Sequence, residues 1–313
     1  MTADRRAGVL LGAACGDALG VPYEAGVRAL GERAEMLGGG LGNYAPGQWS
    51  DDTEMACVIA RVDLRSEDAL DAVAHGFLAW HAAGPADVGL QTAAVLGPLH
   101  GIPRRGAAAR LRERAAQVHA ETGRSAGNGS LMRTAPVALA ADGVADAARA
   151  VSALTHHDPQ AGDACVLWCL AIAHAVRTGS LDVRVGLPHV DPAWADRLDE
   201  AERSDPSAFA ASNGWVVAAL QGAWSAIVHT DGLVDGLQAA VRGGGDTDTV
   251  AAIAGALLGA RYGASAVPGE WRRMLHGWPG LTGEDLVGLG ARSAPAATAQ
   301  TAERRADRRR SAW

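Results

Sequence analysis

Apolar residues recur along most of the chain at helical spacing. In "TEMACVIARVDL", Met55, Val58, Ile59 and Val62 fall at i, i+3, i+4 and i+7, the stripe by which a helix buries one face. "EDALDAVAHGFLAWHAAG" repeats the spacing with Leu70, Val73, Phe77 and Trp80. "GDACVLWCLAIAHAVRTG" and "NGWVVAALQGAWSAIVHT" are apolar on nearly every side, as central helices of an all-helical core are. "GVADAARAVSALTHH" is a further helix ending in a polar cluster. The alternation of a half-buried strand is essentially missing; "LDVRVGLPHV" is a weak strand candidate. The pattern predicts an all-α fold.

Glycine modifies that pattern in two places. Gly8, Gly12, Gly16 and Gly20 fall at intervals of four, as do Gly255, Gly259 and Gly263, with Ala251 extending the second row. Each row lies along one helical face. Glycine in mid-helix costs about 1 kcal/mol against alanine, so a row of it needs compensation. Close approach of another helix backbone supplies one, and tightly packed central helices are the expectation. The alternative is compositional drift in a chain with 40 glycines; regular spacing in both rows favours packing.

Breaks between these segments are few. Leu37 to Gln48 reads as a glycine-rich loop and Gly101 to Arg105 as a turn. Asp182 to Pro206 reads as a polar excursion with three prolines. Beyond about Gly290 the chain turns to Ala, Thr and Arg and ends "AERRADRRRSAW", the composition of a solvated, disordered tail. A compact single domain over residues 1–292 and an Arg-rich tail over 293–313 follow. The tryptophans fall at helical spacing and are expected in the core.

Composition narrows the function. At 313 residues, 48% hydrophobic and 20% charged, the chain has the make-up of a globular protein with a large core. Its net charge of −7 lacks the basic face of a general nucleic-acid binder. All 28 positions counted as Lys or Arg are arginine. That removes Schiff-base, Ser-Lys and P-loop lysine chemistry. Cys15, Cys57, Cys165 and Cys169 lie in apolar stretches without a C-x-x-C pair, so they read as buried thiols of a reduced compartment. Arg5 and Arg6 before "AGVLLGAAC" loosely resemble a short signal segment. The run is short, holds two glycines and is followed at once by Asp17, so a cytoplasmic protein is expected. No segment approaches the ~20 apolar residues of a membrane span.

The polar surplus sits at two helix starts. "GQWSDDTEMA" places Ser50, Asp51, Asp52 and Thr53 at the head of one helix, and "GGGDTDTVAAIAG" places Asp246, Thr247, Asp248 and Thr249 at another. One such cluster is ordinary capping, since Asp and Thr favour the first turn. Two clusters of the same chemistry exceed what capping needs. If the helix starts converge, four carboxylates share a small volume, and hard divalent cations neutralise such a group.

Four segments, "GAACGDALGVPYE", "GQWSDDTEMA", "SAGNGSLMRTAPVAL" with the following "THHDP", and "GGDTDTVAAIAGALLGARYG", run in order from Gly12 to Gly263. Together they resemble the ADP-ribosylglycohydrolase family, which includes dinitrogenase reductase-activating glycohydrolases and ADP-ribosylarginine and ADP-ribosylserine hydrolases. The resemblance implies an all-α domain with a binuclear centre of two Mg²⁺, or Mn²⁺, in a cleft. It implies metal ligation by Ser50, Asp51, Asp52, Asp246, Asp248 and Thr249, with serine at position 50 in place of the family's usual threonine. Glu24 matches a glutamate that gates the metal site on a mobile loop in some members. Gly127, Asn128 and Gly129 match a turn lining the ADP-ribose cleft, with Ser125 near the diphosphate. His156 matches a histidine near the substrate. Where some members carry an adenine-stacking aromatic, this chain has Ala126.

The activity so implied is hydrolysis of the glycosidic bond between ADP-ribose and a protein side chain, most of all arginine. Asp51, Asp52, Asp248 and Glu24 are its candidate catalytic groups. Glycosidic cleavage passes through an oxocarbenium-like state, and a clustered aspartate can take the proton of the attacking water. The rival readings are another ADP-ribose linkage (serine O-linked, nucleic-acid or small-molecule) and a non-catalytic ADP-ribose-binding or crystallin-like protein. The expected partner is an ADP-ribosylated protein or an ADP-ribose-containing small molecule, met by a monomer. Asp17 reads equally as a local cap or as support for the ligands. Arg133 reads as the structural partner of a carboxylate ahead of a direct phosphate contact, and His157 as a surface neighbour of His156.

Overall fold

A computed structural model of the chain describes residues 1–139 and 143–292. Its helices run in the order α1 (Thr2–Gly20), α2 (Asp51–Ala60), α3 (Ala69–Ala82), α4 (Leu90–Leu96), α5 (Ala107–Thr122), α6 (Val144–Ser152) and α7 (Pro159–Thr178). There follow α8 (Trp194–Arg203), α9 (Val216–Val228), α10 (Leu233–Gly243), α11 (Thr247–Tyr262), α12 (Gly269–Met274) and α13 (Gly283–Ala291). Short 3₁₀ turns connect several of them. Among the described residues the strands amount to one antiparallel pair, β1 (His276–Gly277) and β2 (Leu281–Thr282). The fold is all-α, as the apolar spacing predicts.

Local signals explain where helices start and stop. Asp158 caps α7 by accepting from the Gln160 N–H, and Pro159 occupies the first helical position, where its missing N–H costs nothing. Thr282 and Asp285 form a reciprocal capping box at α13, satisfying two N–H groups that the helix leaves without partners. Left-handed glycines, Gly106 and Gly123, bound α5.

Two expectations need correction. "LDVRVGLPHV" is not a strand: Arg184–His189 forms a 3₁₀ helix containing Pro188, a residue that cannot donate to a strand ladder. The excursion from Asp182 to Pro206 also contains a helix, α8. Trp194, Leu198 and Ala201 bury one side of it, while Arg184 reaches over to Asp199 and Glu202. Its prolines lie outside α8 and do not interrupt it. The tail expected over 293–313 lies outside the described residues.

The centre of the molecule is the pair α1 and α11, with α7, α9 and α10 packed around α11. The two glycine rows face one another. A methyl built on Gly8 would strike the Gly259 carbonyl, one on Gly12 the Gly255 carbonyl, one on Gly16 the Ala251 carbonyl, and one on Gly20 the backbone at Asp248. The pairing runs antiparallel, so the end of α1 lies against the beginning of α11. Trp168 on α7 fastens the pair from outside through its Nε1, which donates to the Ile253 carbonyl at 2.9 Å.

Trp49, Trp80, Trp168 and Trp194 are fully buried, as expected of core tryptophans. Trp215 departs from that expectation, at 41% exposed. The four cysteines are free and buried. No described helix is long and apolar enough to cross a membrane.

Gly12→Ala tests the interlocked rows. The added methyl has only backbone to push against, so the helix-propensity gain of ~1 kcal/mol is outweighed by an overpacking cost of about 1–3 kcal/mol or more. Gly288→Ala on α13, where a methyl meets nothing, is the control. Thermal unfolding should show a lower Tm for the first and an unchanged or higher Tm for the second. Equal Tm values would remove the packing account.

Candidate metal centre and cleft

Because α1 ends where α11 begins, Asp17 in the last turns of α1 comes to lie beside the starts of both α11 and α2. Its carboxylate caps α2 from outside that helix. Oδ1 accepts from the Ser50 N–H at 2.9 Å, and Oδ2 accepts from the Thr53 N–H at 3.1 Å and the Thr53 hydroxyl at 2.6 Å. The Ser50 hydroxyl does not cap; it donates to Asp52 Oδ2 at 3.0 Å. Asp17 is therefore not a local cap: it caps a helix to which it does not belong and packs among the other carboxylates.

The start of α11 meets that of α2 directly. Thr249 Oγ1 donates to Asp52 Oδ1 at 3.1 Å. Asp246 is held from a third direction, its Oδ2 accepting from Asn128 Nδ2 at 2.7 Å and its N–H donating to Asn213 Oδ1 at 2.9 Å. Gly244 and Gly245 make the approach to Asp246 with φ of 83° and 75°, a region that side chains disfavour. At Gly245 a methyl would also strike the Ala210 carbonyl and Asn213. Two helix N-termini thus aim their partial positive charge at one group of carboxylates.

The carboxylates form two trios that share a member. Oxygens of Asp17, Asp52 and Asp248 lie within 4.8 Å of one another, and so do oxygens of Glu24, Asp246 and Asp248. None of the ion pairs among the described residues involves them. The electrostatic consequence is large. Burial, then Asp246 and Asp52, push the Asp248 carboxyl well above the usual carboxylate range. Burial, then Asp17 and Asp51, do the same to Asp52. Burial raises Asp17 to about 6 against the pull of its hydrogen bonds from Thr53 and Ser50. Glu24 stands at about 7, through burial and then Asp246 and Asp87. An all-oxygen donor set with no cation of its own fits hard divalent ions.

Above the trios opens a cleft of about 470 Å³. Glu24, Asp51, Asp246, Asp248 and Thr249 line its acidic side. Gly127, Asn128, Gly129 and His156 line another, with Gln91, Thr92 and Met132. Asp87, on the loop before α4, adds a further carboxylate. Asp51 therefore faces the cleft but belongs to neither trio; burial, then Asp87 and Asp17, push its carboxyl well up. Ser125 is buried away from the cleft lining, its hydroxyl 2.6 Å from His119 Nδ1.

The turn at Gly127 to Gly129 is pinned to the approach to α9. Asn128 N–H donates to the Gly214 carbonyl and Val216 N–H to the Ala126 carbonyl. Asn128 Nδ2 also donates to the Asn213 carbonyl at 2.9 Å. This pairing sets Trp215 opposite Gly127, so the exposed indole stands beside the turn that lacks an aromatic at Ala126. Its Nε1 donates to Gln160 Oε1 at 2.9 Å. Arg133 corrects its expectation. It pairs with no carboxylate among the described residues and instead donates to Thr155 Oγ1 and lies over the Phe77 ring. His157 is exposed, as expected.

Sequence reasoning missed Asp87, Gln91 and Trp215. Asp87 and Gln91 stand outside any motif, and Trp215 lies at the border of an apolar helix that makes it read as core.

The sequence matches the family model for ADP-ribosylglycohydrolase over residues 1–305. It is 32% identical over 280 residues to the ADP-ribosyl-[dinitrogen reductase] glycohydrolase of Rhodospirillum rubrum, covering 86% of this chain and 89% of that one. It is 30% identical over 278 residues to the ADP-ribosylarginine hydrolase Tri1 of Pseudomonas putida, covering 86% of this chain and 73% of that one. Among solved structures, an ADP-ribosylglycohydrolase-related protein complex aligns with a TM-score of 0.70 at 28% identity, over 93% of this chain and 96% of that one. Both the length of these matches and the acidic cleft they cover lead to one conclusion: the chain is an enzyme belonging to the ADP-ribosylglycohydrolase family.

Proposed function

We propose that the enzyme hydrolyses the bond between ADP-ribose and an arginine side chain of a modified protein, using two divalent cations, Mg²⁺ or Mn²⁺. The observation that carries this reading is the pair of carboxylate trios sharing Asp248 beneath the cleft. Asp17, Asp52 and Asp248 would hold one ion, and Glu24, Asp246 and Asp248 the other, with the Ser50 and Thr249 hydroxyls beside them. Bound there, the ions supply Lewis-acid polarisation and charge neutralisation. The similarity to an ADP-ribosylarginine hydrolase supports the arginine linkage. Buried free thiols suit a reducing, cytoplasmic setting.

The chain's own residues divide the remaining work. Gly127 and Gly129 bring backbone close to the diphosphate without side chains in the way, and Asn128 spends its amide fixing that turn to Asp246 and Asn213. Trp215 offers the adenine a stacking face at the same turn. Asp51 faces the cleft with a carboxyl of raised proton affinity, the property required of a group that takes the proton of an attacking water. A guanidinium leaving group is already cationic and needs little acid catalysis, but it needs an anionic recess. Asp87 in the cleft wall supplies that recess, and Glu24 joins it by swinging off the ion as substrate enters.

Three outcomes follow. EDTA should abolish hydrolysis of ADP-ribosylarginine, and added Mg²⁺ or Mn²⁺ should restore it. The ions should also raise Tm, by the equivalent of about 2.7 kcal/mol at a hundredfold excess over Kd. Full turnover after metal removal would exclude the binuclear reading.

Asp248→Asn removes the residue common to both trios and one negative charge from a repelling group. The metal-free variant should unfold at a higher temperature than metal-free wild type while losing nearly all turnover. A mere helix-capping residue would show the opposite pattern: near-normal turnover and, since asparagine also caps well, a stability change of ~1 kcal/mol or less.

Trp215→Ala and Glu24→Gln separate the two ends of the substrate. The first should weaken free ADP-ribose binding about tenfold, the worth of one lost stacking contact. The second should leave that binding within a fewfold and lower turnover of arginine-linked substrate about tenfold or more, the worth of a charge-assisted hydrogen bond. Wild type that cleaves only serine-linked ADP-ribose would overturn the arginine assignment.

A further inference from the structure

Arg133 has no part in the chemistry above, yet it is a wholly buried cation one residue from the cleft-lining Met132. Burial lowers its guanidinium to about 10, so it stays charged at neutral pH. Its Nη2 donates to Thr155 Oγ1 at 2.5 Å, its Nη1 meets Met55 Sδ at 3.4 Å, and its Cζ stands 4.4 Å from the centre of the Phe77 ring. Its Nε has no partner. Thr155 is fully buried as well, and the same Oγ1 lies 2.8 Å from Nδ1 of His156.

These contacts settle where the protons go. A guanidinium can only donate, so Thr155 Oγ1 accepts from Arg133. The hydroxyl has one hydrogen of its own, and its remaining neighbour is His156 Nδ1. If Nδ1 carried a proton, the Thr155 hydrogen would be buried without an acceptor, an arrangement native structures avoid. The satisfied arrangement has Thr155 donating to a bare Nδ1, which leaves the imidazole hydrogen on Nε2.

The Nε2 edge faces the turn. A Cβ built on Gly127 or on Gly129 would lie 3.4 Å from Nε2, in van der Waals contact with it, so the two glycines leave that edge free of a side chain. Burial, and then the Arg133 charge, also hold His156 well below the ordinary histidine range.

We infer that Arg133 is a positioning residue which, through Thr155, fixes the proton of His156 on Nε2 and makes that imidazole a neutral N–H donor to an acceptor oxygen of the bound substrate. That the acceptor belongs to ADP-ribose rests on the function proposed above; the tautomer does not. A neutral donor gives a directed hydrogen bond without placing a cation beside the carboxylates that would hold the metal ions.

Nitrogen NMR of the full chain, labelled with ¹⁵N-histidine and loaded with Mg²⁺, reads the tautomer directly. A His156→Asn sample assigns the signal. Wild type should show Nε2 protonated and Nδ1 bare at neutral pH. Thr155→Val, which keeps the side chain's shape, and Arg133→Met should both let the Nδ1–H form appear. They should also weaken free ADP-ribose binding by about tenfold, as loss of one hydrogen bond does. Thr155→Ser and Arg133→Lys, which keep the hydroxyl and the charged donor, should restore the wild-type signal and bring binding back to within a fewfold. Wild type with its proton on Nδ1, or Thr155→Val with an unchanged tautomer, overturns the inference. A wild type that shows the Nε2 form and binds no ADP-ribose supports the relay and overturns the functional reading instead.

Discussion

Backbone-to-backbone contact between α1 and α11 is the constraint on which the site depends. The two helices approach until carbonyl oxygens occupy the space a β-carbon would need. Such contact gains dispersion along the whole length of both helices and compensates the intrinsic cost of glycine in each. It also fixes the axial register. With Gly8 against Gly259 and Gly20 against Asp248, Asp17 can reach the first turn of α2 and the ligand positions at the start of α11 together. A slip by one turn would move Asp17 by about 5.4 Å, farther than any of its hydrogen bonds could stretch.

The site built on that register opposes the fold's own stability. Buried carboxylates raise one another's proton affinity, and without a counter-charge their ionised forms repel. Several devices keep them together. Asp17 is held by three donors, Asp52 by the Ser50 and Thr249 hydroxyls, and Asp246 by Asn128 and Asn213. Two helix starts add their partial positive charge. All of these partners are neutral, and the buried guanidinium of Arg133 is turned toward Thr155. The acidic group is therefore not a closed network of ion pairs among the described residues.

Asn128, Asn213 and Trp215 show how the substrate cleft is tied to that centre. Asn213 touches both the Gly127–Gly129 turn and the chain entering α11, so a shift of the turn is felt at Asp246. Trp215 follows two residues later and takes its place from the same pairing. The Gly127–Gly129 side of the cleft is therefore held in register with its acidic side by two amide side chains.

What the sequence determined alone is what short-range physics controls. Apolar periodicity locates α2, α3, α6, α7 and α9, because a helix buries the residues that recur every three or four positions. The glycine rows announce close packing, and the paired acid-hydroxyl clusters announce a surplus over capping. Motif order carried the rest of the way to the family and to the Gly127–Gly129 turn with His156. The sequence did not say which rows face each other. Nor did it reveal that Asp17 caps a helix to which it does not belong, or that Asp51 stands apart from the trios. Arg133, a charged residue that could have paired with a carboxylate, ends against an aromatic ring and a hydroxyl. Asp87 and Gln91 line the cleft and Trp215 stands opposite Gly127, all from loops and helix borders that no periodicity marks. Such placements depend on contacts between residues tens to hundreds of positions apart, and only the packed backbone, with its fixed register between α1 and α11, decides them.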